Sequence, residues 1–190
     1  MTGLTIGIIG LVLTALLCGI GSGLGLKATG KAAAGVLSED PSKFSKVIVL
    51  SLLPATQGIY GFLIAILGAS YLPTVANIGN ATVTYAQLNA QGWNVFWACV
   101  PMMLGGAVSA YLQGRTAATT IIAVGKKSEI ASKSIIFPSM IEFYALLGLV
   151  VSIMMFNNMP MTAISNPNTA PEAPQAIEGA LRAVSAIFGA

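Results

Sequence analysis

Glu142 is the only charged residue between Ser134 and Ala170. It lies in Ile-Ile-Phe-Pro-Ser-Met-Ile-Glu-Phe-Tyr-Ala-Leu-Leu-Gly-Leu-Val-Val-Ser-Ile-Met-Met (135–155), a run long enough to cross a bilayer. A carboxylate at mid-membrane costs about 2.5–3.5 kcal/mol on insertion scales, and more when unpaired. By default, a residue placed there binds or moves an ion. A small hard cation would also need oxygen donors around it. Leu53-Pro-Ala-Thr-Gln-Gly-Ile-Tyr (53–60) puts Thr56, Gln57 and Tyr60 within about two helical turns, with Thr56 and Tyr60 on one face. Pro54 has no backbone N–H and so frees a carbonyl one turn earlier. Gln113 closes an apolar run in a third segment. Together with Glu142 these oxygens can dehydrate and hold a cation, while Tyr60 can donate to the carboxylate and fix its rotamer. A single buried Thr or Gln more often just bonds a neighbouring helix. Several of them in charge-free segments, opposite one Glu, point to a site. A proton carrier needs less: a carboxyl in an apolar pocket, which favours its neutral form.

The elements that position these residues follow from the charge pattern. The chain has 190 residues, of which 55% are hydrophobic and 8% charged, with mean hydropathy +0.82. An ordinary globular domain carries about 25% charged residues, so the chain reads as an all-α integral membrane protein. It has no histidine, and Cys18 and Cys99 lie far apart in sequence. That argues against zinc, haem and histidine-based catalysis, and the two cysteines are expected as free buried thiols. No catalytic residue and no organic cofactor are expected. Met1–Leu26 and Val47–Gly114 carry no charge, and two charged stretches follow them. This predicts transmembrane helices near 4–36, 45–78, 94–124 and 132–157, arranged as two tandem helical hairpins over 1–78 and 94–158. Residues 79–93 are expected as a polar outer loop. Residues 159–190 are expected as an extra-membrane tail with an amphipathic stretch near 175–188. Eight of the nine Lys and Arg residues fall in or beside the 1–2 and 3–4 hairpin turns. The positive-inside rule then puts those turns in the cytoplasm and both termini outside. This topology signal accounts for the basic pI without nucleic acid. With no basic stretch ahead of its apolar run, the N-terminus does not look like a cleaved signal peptide.

A shift of 84 residues lays one half of the sequence on the other. Gly30-Lys31 falls on Gly114-Arg115, Lys43 on Lys127, Pro54 on Pro138 and Tyr60 on Tyr144. The expectation is a gapless parallel repeat of two hairpins, in which Gly58 stands where the second copy has Glu142. Two copies of the fold thus share one ion site. Gly19, Gly21, Gly23 and Gly25 alternate through the first helix, and Gly105, Gly106 and Ala107 lie at comparable depth in the third. Each Gly weakens a helix by about 1 kcal/mol, but small residues let helix backbones approach closely in lipid. Close packing of inner helices is expected there.

The Gly-rich first helix, Leu-Leu-Pro-Ala-Thr-Gln-Gly-Ile-Tyr-Gly (52–61), Gln113-Gly-Arg115 and Pro-Ser-Met-Ile-Glu-Phe-Tyr-Ala (138–145) together resemble the proteolipid (K, or c-type) subunits of V/A-type rotary ATPases, in their duplicated four-helix form. The resemblance covers roughly residues 5–158. It implies a ring of identical copies in lipid that turns past a stator subunit supplying an arginine, with central-stalk subunits docked on the hairpin loops. It also implies a Na⁺ site made of Leu53 (carbonyl), Thr56, Gln57, Gln113 and Glu142, with Tyr60 as hydrogen-bond partner of the carboxylate. H⁺ is the alternative ion. ATP hydrolysis or synthesis would belong to other subunits. A ring of fixed bare charges could not turn through lipid, whereas a carboxylate neutralised by Na⁺ or a proton can. A stand-alone four-helix channel or carrier is the competing reading, and it lacks a second acid, a His or an Arg with which to build a relay. A purely structural scaffold leaves Glu142 unexplained.

Overall fold

The computed structural model describes residues 3–72 and 85–159. Among these, four segments are long and apolar enough to cross a membrane: Gly3–Glu39, Pro41–Ala69, Ala86–Lys126 and Ser128–Asn157. The helices are α1 (Gly3–Glu39), α2 (Phe44–Leu52), α3 (Thr56–Ala69), α4 (Tyr85–Lys126), α5 (Ala131–Ser134) and α6 (Ile136–Asn157). The chain is therefore all-α, with four spans in two hairpins, as the sequence predicts. The 37 residues of α1 and the 42 of α4 rise about 55 and 63 Å. Both exceed a hydrocarbon core of about 30 Å, so their ends project beyond it.

Two element boundaries differ from expectation. The second span ends at Ala69 rather than near 78. Gly68 and the approaching Pro73 both work against helix there. The third helix begins at Tyr85 rather than near 94, so residues 85–93 of the expected polar loop are helical. Tertiary contact overrides the polar composition: Gln91 donates to the Tyr71 carbonyl at 2.7 Å, and Gly92 sits against the Gly3 backbone. The rest of the expected loop, residues 79–84, and the tail after 159 with its amphipathic stretch lie outside the described residues.

The four spans pack as α1 against α4, with the second span on α1 and the fourth on α4, while the two outer spans touch each other little. Glycine sets the spacing of the central pair. A Cβ on Gly25 would lie 2.7 Å from both the Ala110 carbonyl oxygen and the Pro54 side chain, and one on Gly114 would strike the Gly25 backbone. Gly21 meets Ala107 in the same way, whereas Gly19 and Gly23 have nothing within 4 Å. The alternating glycines thus divide by face: one pair closes the α1–α4 contact, and the other faces away from it. Two apolar clusters fill the bundle. One runs through Cys18, Tyr60, Ile64, Val95, Met102 and Phe156, and the smaller one, near the hairpin turns, holds Val36, Val47, Leu50, Ile121 and Val124. Cys18 and Cys99 are free and buried.

The repeat is not gapless. The turn helices Pro41–Lys43 and Ser128–Ile130 are related by a shift of 87, not 84. Their capping residues, Asp40 (φ −145°, ψ 93°) and Lys127 (φ −136°, ψ 97°), share one extended backbone geometry. Lys43 therefore corresponds to Ile130, and the Lys43/Lys127 pairing is corrected. The prolines still pair at 84, so the second hairpin is three residues shorter between turn and proline. The nine-residue α2 has the four-residue α5 as its counterpart, followed by a break at Ile135.

Asp40 anchors the first turn by accepting from the Ser42 amide at 3.1 Å and the Ser42 hydroxyl at 2.6 Å. These bonds and those to Lys43, the Ser42 hydroxyl first, hold its carboxyl below the usual range. Lys43 pairs with Asp40 at 3.2 Å and donates to the Gly125 carbonyl at 2.7 Å, which ties the first turn to the end of α4. Packing at Gly25 sets a sharper constraint. Gly25→Val should destabilise the detergent-solubilised protein by about 1–3 kcal/mol through overpacking, lowering its thermal midpoint. Gly19→Val, on the open face, should lower the midpoint far less.

Candidate ion-binding site

Pro54 creates the local geometry. It has no N–H to donate within a helix, and the chain passes through a single 3₁₀ turn at Leu53–Ala55 before α3 starts at Thr56. The Leu53 carbonyl accepts from the Thr56 amide and, at 3.0 Å, from the Thr56 hydroxyl. Two oxygens, one backbone and one side-chain, thus stand together at the start of α3. Gln57 follows and is fully buried, as is Gln113 on α4. The Gln57 amide nitrogen donates to the Gln113 side-chain oxygen. The Gln113 amide nitrogen in turn lies 3.5 Å from Glu142 Oε2. From the other side Tyr60 donates its hydroxyl to Glu142 Oε1 at 3.1 Å. Glu142 itself is half-buried.

The structure therefore joins Gln57, Tyr60, Gln113 and Glu142 into one hydrogen-bonded network across the second, third and fourth spans, with the Thr56 hydroxyl bonded to the Leu53 carbonyl at the start of α3. This polar layer lies between the two apolar clusters. Gln57 Oε1 is buried and has no hydrogen-bond partner. A buried acceptor left unmade costs about 1–3 kcal/mol, and a cation beside Gln57 would satisfy it. At the opposite end of the bundle Gln91 Oε1 is in the same condition, but with no carboxylate in contact with it among the described residues. No group of three or more His, Cys, Asp or Glu side chains forms a metal site among the described residues. The donor set is thus one carboxylate among neutral oxygens, a composition that suits a weakly held monovalent ion.

Gly58, expected opposite Glu142 in the repeat, faces α1: a Cβ there would lie 3.2 Å from Ser22. A side chain there would press on Ser22, so this position of the first hairpin is occupied by the α1 contact. A feature with no marker in residue spacing is the Pro101 distortion of α4. Beside this proline, the Met102 N–H bonds Ser152 Oγ at 3.1 Å and so ties α4 to the fourth span. Pro101 itself was the only available signal.

A duplicated hairpin bundle with a single carboxylate at the centre of a neutral oxygen cluster defines a class of membrane ion-carrying subunit. The sequence matches the ATP synthase C-subunit family twice, over residues 9–68 and 96–155, and the chain belongs to that family in its duplicated, proteolipid form. It is 37% identical to the V-type sodium ATPase subunit K of Enterococcus hirae over 156 residues, covering 82% of this chain and 93% of the relative. It is 36% identical to the A-type ATP synthase subunit K of Methanocaldococcus jannaschii over 152 residues, covering 80% of this chain and 62% of that longer protein.

Tyr60→Phe removes the hydroxyl that holds Glu142 and changes little else. A hydrogen bond to a charged group contributes about 1.5–3 kcal/mol. The variant should therefore need at least about tenfold more cation for half-occupancy, read from protection of Glu142 against a carboxyl-modifying reagent.

Proposed function

We propose that the protein is the ion-carrying rotor subunit of a V/A-type ATPase or ATP synthase, that it carries Na⁺, and that the ion binds among Leu53 O, Thr56, Gln57, Gln113 and Glu142. The single observation that carries this reading is the unpartnered Gln57 Oε1, buried in a network that ends on the one intramembrane carboxylate. The printed name of the Enterococcus relative, a sodium ATPase subunit, supports the same ion. H⁺ is the second reading. It is supported by the bonds from Tyr60 and Gln113 to Glu142, which can hold a protonated carboxyl as well.

In this mechanism copies of the chain stand side by side in a ring. The open Gly19 and Gly23 face of α1 suits contact with a neighbouring copy. Loaded Glu142 is neutral overall and can face lipid. An arginine on a stator subunit displaces the ion, and the freed carboxylate reloads on the other side. Among the described residues the one arginine is Arg115, which bonds Tyr111 on the exposed face of α4, so the displacing arginine is assigned to the stator. The basic hairpin turns would face the cytoplasm and dock the central stalk, with both termini outside. ATP chemistry would reside in partner subunits.

Carbodiimide attacks the protonated carboxyl. Labelling of Glu142 in the purified ring, followed against pH with and without Na⁺, should show protection by Na⁺ that weakens as pH falls. Labelling indifferent to Na⁺ would make this a proton rotor. Glu142→Gln should leave the ring assembled and abolish ion transport and coupled ATPase activity. Normal coupled pumping in that variant would overturn the assignment of Glu142.

A further inference from the structure

Tyr144 is the most exposed large hydrophobic side chain among the described residues, at 69%. It lies two residues after Glu142, about 3 Å along the fourth span and roughly 160° around it. Glu142 faces the first hairpin through Tyr60, so Tyr144 faces away from that hairpin at the same depth. Its hydroxyl has no hydrogen-bond partner among the described residues. Lipid tails offer none at mid-membrane, and a hydroxyl left unpaired there is costly.

The hydroxyl of Ser22 on α1 is likewise unpartnered among the described residues, although Ser22 is only 6% exposed. It sits behind Gly58, where a Cβ would lie 3.2 Å from Ser22 Oγ. Two hydroxyls in the spans thus lack partners, and the repeat relates them. Within the chain, Tyr60 of the first hairpin donates to Glu142 of the second. The 84-residue shift that pairs the prolines turns Tyr60 into Tyr144, and it sets Gly58 where the second hairpin has Glu142. Continued round a ring of tandem hairpins, the same relation places Tyr144 of one copy against Gly58 and Ser22 of the next. It also sets Ile141 in the place of Gln57 and Thr29 in the place of Gln113. Thr29 is fully buried and gives its proton to the Ser51 carbonyl at 2.9 Å. The interface between copies therefore keeps the frame of the ion site without its carboxylate or its amides. The two hydroxyls are left to meet each other, and each can both donate and accept.

We propose that Tyr144 of each copy seats on Gly58 of the next copy and hydrogen-bonds Ser22 behind it, forming an uncharged contact that closes the ring at the depth of Glu142. The proposal rests on the ring reading above. It gives the two tyrosines of the repeat separate tasks: Tyr60 holds the carboxylate, and Tyr144 holds the neighbouring copy whether or not an ion is bound.

The test compares purified rings of the wild type, Tyr144→Phe, Ser22→Ala and the double variant, titrated with a denaturing detergent until monomers appear on a gel. Each single variant should release monomers at a detergent concentration at which the wild-type ring stays whole. The double variant should be no weaker than the weaker single one, because partners in one contact do not add. All four should keep the same midpoint for Na⁺ protection of Glu142 from carbodiimide. A second measurement places the photoreactive p-benzoylphenylalanine at position 144. Irradiation of that ring should join copies to one another, with the adduct mapped to the second span around Gly58 or to α1 around Ser22. Additive losses in the double variant would overturn the contact, as would unchanged rings in both single variants or adducts confined to lipid. If the wild-type protein purifies only as a monomer, the rotor-ring reading itself falls, and this proposal with it.

Discussion

One carboxylate among apolar helices governs the rest of the structure. Carrying Glu142 in a membrane span is tolerable only if its charge can be shared or neutralised on the spot. Tyr60 and Gln113 share it through direct hydrogen bonds, and Gln57 supports Gln113 from behind. These partners come from three spans, so the helices must hold register to within a fraction of a turn. The two apolar clusters above and below the polar layer provide that stiffness, and the glycine contacts between α1 and α4 fix the spacing on which they pack. Stability and the placement of the carboxylate thus rest on the same helix positions.

Much of this was legible in the sequence, for identifiable reasons. A lone Glu in a charge-free run is conspicuous because the membrane penalises it, and Pro54 announces a break because it cannot donate. The residue types around 53–60 likewise suggest oxygen ligands. Sequence gives no distance between segments, however, so the bond between Gln57 and Gln113 and the orphaned oxygen beside it needed the fold. The start of α4 at Tyr85 was hidden by polar composition, since it depends on contacts with Gly3 and Tyr71 that lie far away in the chain. The gap in the repeat was hidden by chance, because two lysines fell into the wrong register and made the halves look alike at the turn.

Duplication followed by divergence explains the unequal halves. Both hairpins retain the same turn geometry and a proline in the returning span. They differ where function differs. Gly58 closes against Ser22 in one half, while Glu142 projects toward Tyr60 and Gln113 in the other. The stretch from turn to proline is three residues shorter in the second hairpin and has an open groove beside it, whereas side chains fill the corresponding region of the first. One copy contributes Tyr60 and Gln57 to the network that ends on the carboxylate of the other.

The glycine contact between α1 and α4 also has a geometric meaning. The central helices meet backbone to backbone, while the outer spans stand apart and join through polar side chains. The subunit is therefore a wedge, thin on one side and thick on the other. Identical wedges set side by side close into a circle whose circumference follows from the taper. Because each wedge carries one Glu142, the same taper sets how many of these carboxylates stand around the circle. A methyl group added on the thin side would act as a change of gear.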